Sequence, residues 1–229
     1  MLYIVGTPIG NLKDLSLRQA ETIAQADVIL AEDTRSISAI FSGISKYFSL
    51  SINPSQRTIS YYREKEFEKL PEVINFLKED KKVVLVSESG MPLISDPGFL
   101  LVKTVIRQNL PYTVIPGPTA ITTALVVSGF NPEKFLFMGF LPKKDNEIKK
   151  ILEKIIKINQ IDKETIFSFY DSPIRIKKTL ELINQLIPQA EICIGRELTK
   201  KFEEVIRGKA KDLINRDYKG EIVLLIKFQ

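Results

Sequence analysis

The fold is decided by residues 82–98, K-V-V-L-V-S-E-S-G-M-P-L-I-S-D-P-G. Val83, Val84, Leu85 and Val86 form a short, unbroken apolar run rich in β-branched side chains, the pattern of a strand buried on both faces at the centre of a parallel sheet. The chain then turns abruptly polar. Ser87, Glu88, Ser89, Gly90, Pro92, Ser95, Asp96, Pro97 and Gly98 follow, and Phe99 to Arg107 resumes with apolar positions at helical spacing. Twelve residues, 87–98, therefore join strand to helix, where about two to six are usual. In open α/β sheets a ligand sits just beyond the carboxyl ends of the strands, so a long Gly/Ser/Pro/Asp loop there predicts a small-molecule site.

Upstream, Leu2–Val5 reads as the first strand, running into Gly6-Thr-Pro-Ile-Gly-Asn-Leu12, a loop whose glycines let backbones approach closely. Leu15–Ala26 is spaced as a helix returning to the sheet, and Asp27–Ala31 as a second strand that delivers Glu32, Asp33, Thr34 and Arg35 at its carboxyl end. Asp33 or Thr34 is equally suited to cap a helix through Phe41. Residues 42–56 show little periodicity and read as a loop. Thr58–Tyr61 is a short strand, Glu66–Glu79 an amphipathic helix, and Tyr112–Ile115 a fifth strand ending in Pro116-Gly-Pro-Thr-Ala120. That turn divides the chain into an N-terminal α/β domain, 1–117, with a mostly parallel sheet, and a C-terminal α/β domain, 118–229, with a mixed sheet. With no flexible linker between them, the halves are expected to be tightly juxtaposed around a cleft.

In the second half Phe135–Phe140 and Thr165–Tyr170 read as strands, the latter opening into Asp171-Ser-Pro-Ile-Arg175, where Ser172 as cap and Pro173 at the first helical position would start a helix to Leu186. Ala190–Gly195, Glu204–Gly208 and Gly220–Ile226 close the sheet, and a Lys-rich helix is striped by Ile148, Ile151, Leu152, Ile155 and Ile156.

Composition removes whole mechanisms. The chain of 229 residues has no histidine and a single cysteine. Ser-His-Asp and Cys-His chemistry and His-ligated zinc are therefore excluded, no metal site is expected, and carboxylates, Lys, Tyr, backbone dipoles or substrate positioning must carry any catalysis. Cys193 lies in an apolar run and reads as a small core side chain. Neither a dinucleotide nor a phosphate-loop motif is present. No apolar run approaches the ~18–20 residues that cross a bilayer, and the N-terminus reads as a strand rather than a signal peptide, so a cytoplasmic location away from membranes is expected. Residues 1–117 carry 13 basic and 13 acidic side chains, residues 118–229 carry 20 and 15, so the net charge of +5 lies wholly in the second half, a weak pointer to a polyanion such as RNA.

The ordered set V-G-T-P-I-G-N-L at 5–12, A-E-D-T-R at 31–35, S-x-S-G-M-P-L-I-S-D-P-G at 87–98, P-G-P-T-A at 116–120, F-M-G-F-L-P at 137–142, Y-D-S-P-I-R at 170–175, R-E-L-T-K at 196–200 and K-G-E-I-V at 219–223 resembles the ribosomal RNA small subunit methyltransferase I family. The likeness covers nearly the whole chain in order, which makes it specific where any one motif would be weak. It implies a two-domain tetrapyrrole methylase fold of the class III methyltransferases, with S-adenosylmethionine in a cleft between the domains. The implied activity is 2′-O-methylation of a cytidine in the decoding region of 16S ribosomal RNA, on the small ribosomal subunit, by a homodimer. Carried over by position, the donor would contact Pro8, Ser87, Glu88, Ser89, Gly90, Met91, Ser95, Asp96, Pro116, Gly117, Ala120, Ile121, Phe140, Leu141, Pro142 and Tyr170. Arg35 and Arg175 would face the RNA. A carboxylate from Glu32, Asp33 or Glu197 is the expected proton acceptor for the ribose hydroxyl.

The sequence departs from the family pattern in three places. Glu88 and Met91 stand where members commonly have an Asp and a Thr, Ile174 stands in place of a histidine in the Y-E-S-P-H-R motif, and Tyr62-Arg63 stands in the S-Y-H-E region without its histidine. The chain also ends soon after its last strand, without the helical extension that many members carry. Two rival readings follow: a same-fold enzyme acting on a tetrapyrrole or a protein, and a non-catalytic ribosome- or RNA-binding relative.

Overall fold

A computed structural model describes residues 1–34 and 36–228, with the side chain of Ser36 also left aside. The chain divides into two compact units, Met1–Thr119 and Ala120–Gln229.

The first unit is built on five parallel strands, β1 (Leu2–Val5), β2 (Val28–Ala31), β3 (Arg57–Ser60), β4 (Val83–Val86) and β5 (Tyr112–Ile115), in the order β3-β2-β4-β1-β5. Four helices, α1 (Leu17–Ala24), α2 (Ser36–Phe48), α3 (Glu66–Lys78) and α4 (Phe99–Arg107), connect them. β4 is central, flanked by β1 and β2, and all four of its residues are buried. Its alternation explains why. Val84 and Val86 pack with Val5, Ile29 and side chains of α1 and α2 on one face, while Val83 and Leu85 pack with Leu2, Leu30 and side chains of α3 and α4 on the other. A polar residue at any of the four would be stranded in one of two cores, which is why the run is apolar without interruption.

α2 extends through Phe48, seven residues beyond the expected end at Phe41. Ser42, Gly43 and Ser45 mask the pattern, but Ile37, Ile40 and Ile44 recur at helical spacing and are all buried. Gly43 is buried against Leu12, 3.5 Å from the site of a Cβ, an ordinary contact distance. α4 starts without a side-chain cap of its own; Glu66 of α3 supplies it, its Oε1 accepting the N–H groups of Leu100 and Leu101 at 2.8 and 3.2 Å.

The second unit begins with α5 (Ala120–Ser128) and is built on β6 (Phe135–Phe140), β7 (Ile166–Asp171), β8 (Glu191–Arg196), β9 (Glu204–Lys209) and β10 (Ile222–Lys227), in the order β6-β7-β10-β8-β9. β6 and β7 are parallel and the other pairs antiparallel, so the sheet is mixed. α6 (Asp145–Ile161), α7 (Ile176–Leu186) and the single turn α8 (Ala210–Leu213) complete it. α7 starts at Ile176 rather than after Ser172. Ser172 ends in a turn whose carbonyl accepts the N–H groups of Arg175 and Ile176, so the cap expected from its hydroxyl is replaced by one from its backbone. Cys193 is fully buried in β8 and burial pushes its thiol up to about 11, which leaves it unreactive. Among the described residues no helix is long and apolar enough to cross a membrane.

Candidate active site

Parallel pairing puts the ends of β1, β4 and β5 side by side, and three loops meet there. The clasp between the first two is a two-way backbone pair, Thr7 N–H to Gly90 O at 2.8 Å and Gly90 N–H to Thr7 O at 3.2 Å. Gly90 turns back with φ +84°, a conformation that a side chain would strain. The Thr7 hydroxyl donates to the carbonyls of Ser87 and Gly90 at 3.2 and 3.3 Å, and the Ser87 hydroxyl to Gly90 O at 2.9 Å. Both hydroxyls are buried and spent on the loop itself. Ser87 thus shapes the site rather than offering its side chain to a ligand.

The clasp between the first and third loops is made by a residue that sequence reading passed over. Gln19, in the first turn of α1, is 1% exposed, and its Nε2 donates to Gly6 O at 2.9 Å and Pro116 O at 3.0 Å. Its Oε1 accepts Ser16 N–H at 2.6 Å while Ser16 Oγ accepts Gln19 N–H, a capping box that locks the amide in place. Where Gly6 and Gly117 meet, there is no room for a side chain: a Cβ on Gly6 would lie 2.7 Å from Gly117 N. The Met91 thioether fills the remaining space and accepts Gly117 N–H at 3.3 Å. Met91 is therefore the third tie between these loops, in a role that a shorter hydroxyl side chain would not reach. Pro8 is buried beside this clasp.

Around the clasp lie acids. Asp96, partly buried after the β4 loop, has its carboxyl pushed up to about 6, first by burial and then by the charges of Glu32 and Glu88, with Arg63 opposing. Glu32 and Glu88 are exposed, and Asp33 and Ser89 partly so. Leu93 and Ser95, on the approach to Asp96, both hold positive φ, 71° and 72°, backbone strain of the kind that collects at ligand sites. On α3's side of the sheet, burial and the neighbouring Glu66 carboxylate raise the Tyr61 phenol, keeping it protonated. Arg35 lies outside the described residues. Among the described residues no cluster of metal ligands occurs.

The remaining residues expected at the site belong to the second unit. Ala120 and Ile121 open α5, with Ile121 buried. Phe140 ends β6 and Leu141 follows it; the Tyr170 ring stands 5.1 Å from both Phe137 and Phe140, and Leu141 N–H donates to Tyr170 O at 3.0 Å. Leu141 is buried in the core, Pro142 partly, while Phe140 is exposed. Arg175 is gripped by Asp171, whose side chain is wholly buried: Oδ1 accepts from Arg175 Nε at 3.3 Å and Nη2 at 3.2 Å, and Oδ2 from Thr179 Oγ1 at 2.7 Å. Glu197 is similarly committed. Its Oε1 takes the Glu221 N–H at 3.0 Å and Lys200 Nζ at 3.1 Å, and these hold its carboxyl below the usual range.

An all-parallel five-stranded unit followed by a mixed one, with clasped loops at the carboxyl ends of the first, defines a class. The family model described as Tetrapyrrole (Corrin/Porphyrin) Methylases matches residues 1–214. The solved structures of the methyltransferase CobJ (TM-score 0.69, 15% identity, 99% of this chain and 93% of that one) and of diphthine synthase (0.73, 14%, 99% and 89%) share the fold. Ribosomal RNA small subunit methyltransferase I of Hydrogenobaculum sp. is 39% identical over 98% of this chain and 94% of its own. That of Thermotoga maritima is 38% identical over 98% and 97%. The chain belongs to the ribosomal RNA small subunit methyltransferase I family.

Proposed function

We propose that the protein transfers a methyl group from S-adenosylmethionine to the ribose 2′-hydroxyl of a cytidine in 16S ribosomal RNA. The full-length relatives carrying the ribosomal RNA name support the substrate class, and the sequence motifs at 31–35 and 196–200 argue against a tetrapyrrole or protein substrate. The observation that carries the donor assignment is the chemistry of the first unit's strand tips. Burial and the charges of Glu32 and Glu88 raise the cost of ionising Asp96, a field that a sulfonium and an α-ammonium group would relieve. The clasps at Gly6, Gly90 and Gly117 fix the three loops that would border the nucleoside. When bound, the donor supplies an activated methyl group. The chain's own part is to orient it, with Asp96 and Glu88 at the cationic end and the loop backbones at the nucleoside. Phe140, Leu141, Pro142 and Tyr170 are assigned to the same ligand by the family resemblance.

Removing the proton from the ribose hydroxyl falls to a carboxylate, since no imidazole exists in the chain. Glu32 and Asp33, at the end of β2, are proposed for it. Glu197 is held below the usual carboxylate range, which weakens it as a base. We further propose a cytoplasmic homodimer as the working form.

The test is incubation of the protein with labelled S-adenosylmethionine and unmodified small ribosomal subunits, followed by primer-extension mapping of 2′-O-methyl marks. Label on a cytidine ribose is the expected result; label on a base, or none on RNA and some on a tetrapyrrole or a protein, overturns the reading. Glu32→Gln, Asp33→Asn and Glu197→Gln, each measured at saturating donor, separate the bases. Unchanged turnover in all three removes the carboxylate mechanism.

A further inference from the structure

One end of the strands of the second sheet carries a feature that transfer of the methyl group does not use. β7, β8 and β10 pair so that Asp171 and Arg196 both face Ile222, which brings the loops 172–175, 197–203 and 219–221 together. Glu197 Oε1 takes Glu221 N–H, and Arg196 Nη1 donates to Lys219 O at 3.3 Å, tying the second of these loops to the third. The hairpin is shaped by two strained residues, Glu197 (φ 49°) and Thr199 (φ 66°). At its tip Phe202 is 66% exposed, with Lys201 Nζ 5.5 Å from its ring centroid, and Ile174 in the loop beside it is 92% exposed.

Charge decides what such a surface suits. The acids of this end are largely matched already: Asp171 by Arg175, Glu197 and Glu221 by Lys200, and Glu204 by Arg196 and Arg216. Lys201 and Lys219 form no ion pair among the described residues, and the nearby Glu203 carboxylate accepts the Thr199 N–H. An open aromatic ring beside unmatched ammonium groups is the arrangement that holds unpaired nucleotides, the ring stacking a base and the cations meeting phosphates. A protein partner would be better served by a larger apolar patch with its charges paired.

We propose that Phe202 is a stacking platform for an unpaired base of the RNA substrate, with Lys201 and Lys219 contacting the flanking phosphates. The inference rests on the ribosomal RNA reading above and adds to it the surface that grips the strand. It predicts that Phe202→Ala and Phe202→Leu each raise KM for small ribosomal subunits about tenfold, with the effect on KM rather than kcat, while Phe202→Tyr restores the original value. Calorimetry with S-adenosylmethionine should give the same affinity in all of them. An RNA oligonucleotide covering the methylated site should bind with a shallower salt dependence in Lys201→Gln/Lys219→Gln than in the unaltered chain. Normal methylation of RNA with an unmoved KM in Phe202→Ala overturns this inference alone. Full rescue by Phe202→Leu, or a loss of self-association by Phe202→Ala with RNA affinity unchanged, assigns the patch to an apolar or self contact and also overturns it. Failure of the unaltered chain to bind or methylate ribosomal RNA overturns the underlying reading and takes this inference with it.

Discussion

Gln19→Leu is the sharpest probe of how the site is held together. Leucine matches the volume of glutamine but offers no N–H, so the substitution removes three hydrogen bonds without opening a cavity: Nε2 to Gly6 O, Nε2 to Pro116 O, and Ser16 N–H to Oε1. Gly6 is buried, and its carbonyl would be left unpaired at a cost of about 1–3 kcal/mol. Pro116 is exposed, so water replaces the lost donor and the cost there is about 0.5–1 kcal/mol. Half of the capping box adds about 0.5–1 kcal/mol. The sum, about 3 kcal/mol, is a large part of the ~5–15 kcal/mol that holds a typical domain together. Because the chain lacks tryptophan, urea unfolding would be followed by far-ultraviolet circular dichroism, with S-adenosylmethionine affinity measured alongside at low denaturant. Gln19→Glu adds a signed control. A buried carboxylate facing two carbonyls has its pKa raised in the folded state, so its neutral form is the one tolerated: stability relative to Gln19→Leu should be best at low pH and fall as pH rises. A loss below about 1 kcal/mol in Gln19→Leu, with donor affinity intact, would refute the clasp.

Gly6→Ala places a Cβ 2.7 Å from Gly117 N and 2.8 Å from Gly117 Cα, backbone that cannot swing aside, so the loops after β1 and β5 must part and donor affinity by calorimetry should fall at least ~10-fold. Asp96, raised to about 6, is disfavoured as an anion in the fold, so its contribution to stability is present below the ordinary carboxylate range and is lost as pH climbs from about 4 to about 6. Asp96→Asn should therefore stabilise the chain at pH 7 and flatten that slope, while binding of the cationic donor to the unaltered protein strengthens with rising pH across the same interval. Glu66→Ala strips α4 of its borrowed cap and should cost about 1–2 kcal/mol in urea unfolding, whereas Glu66→Gln, which keeps an acceptor oxygen for Leu100 and Leu101, should cost less than half as much.

The elements readable from sequence are short apolar runs bounded by polar or turn residues. Val83–Val86 is apolar at every position because two cores, one on each face, demand it, and Tyr112–Ile115 and Phe135–Phe140 occupy the spans expected of them. The end of α2 was illegible for the opposite reason. Ile37, Ile40 and Ile44 are buried in the core there, with Phe41 and Phe48 partly buried against it, and Ser42, Gly43 and Ser45 break the pattern between them. Gln19 was half legible: Ser16-x-x-Gln19 is a capping-box pattern and marks where α1 begins, but an amide in a first helical turn is ordinarily solvated. Only the register of β1 beside β5 brings Gly6 O and Pro116 O, 110 positions apart in the chain, within reach of one side chain.

The same register separates acids that look alike in the sequence. Glu32, Asp33, Glu88, Asp96 and Glu197 all follow strands, and composition gives no ground for ranking them. Their surroundings do. Glu197 is stabilised as an anion by Glu221 N–H and Lys200, which makes it a fastener for the hairpin and a poor acceptor of protons. Asp96 is destabilised as an anion by burial and by two like charges, which makes it responsive to any cation brought nearby. In a chain without imidazole, a donor whose positive charge lowers the pKa of Asp96 on arrival would couple binding to ionisation of the site. Proton release on mixing donor and protein near pH 6, absent in Asp96→Asn, is the signature of that coupling; equal release by both proteins would place the coupling on another group.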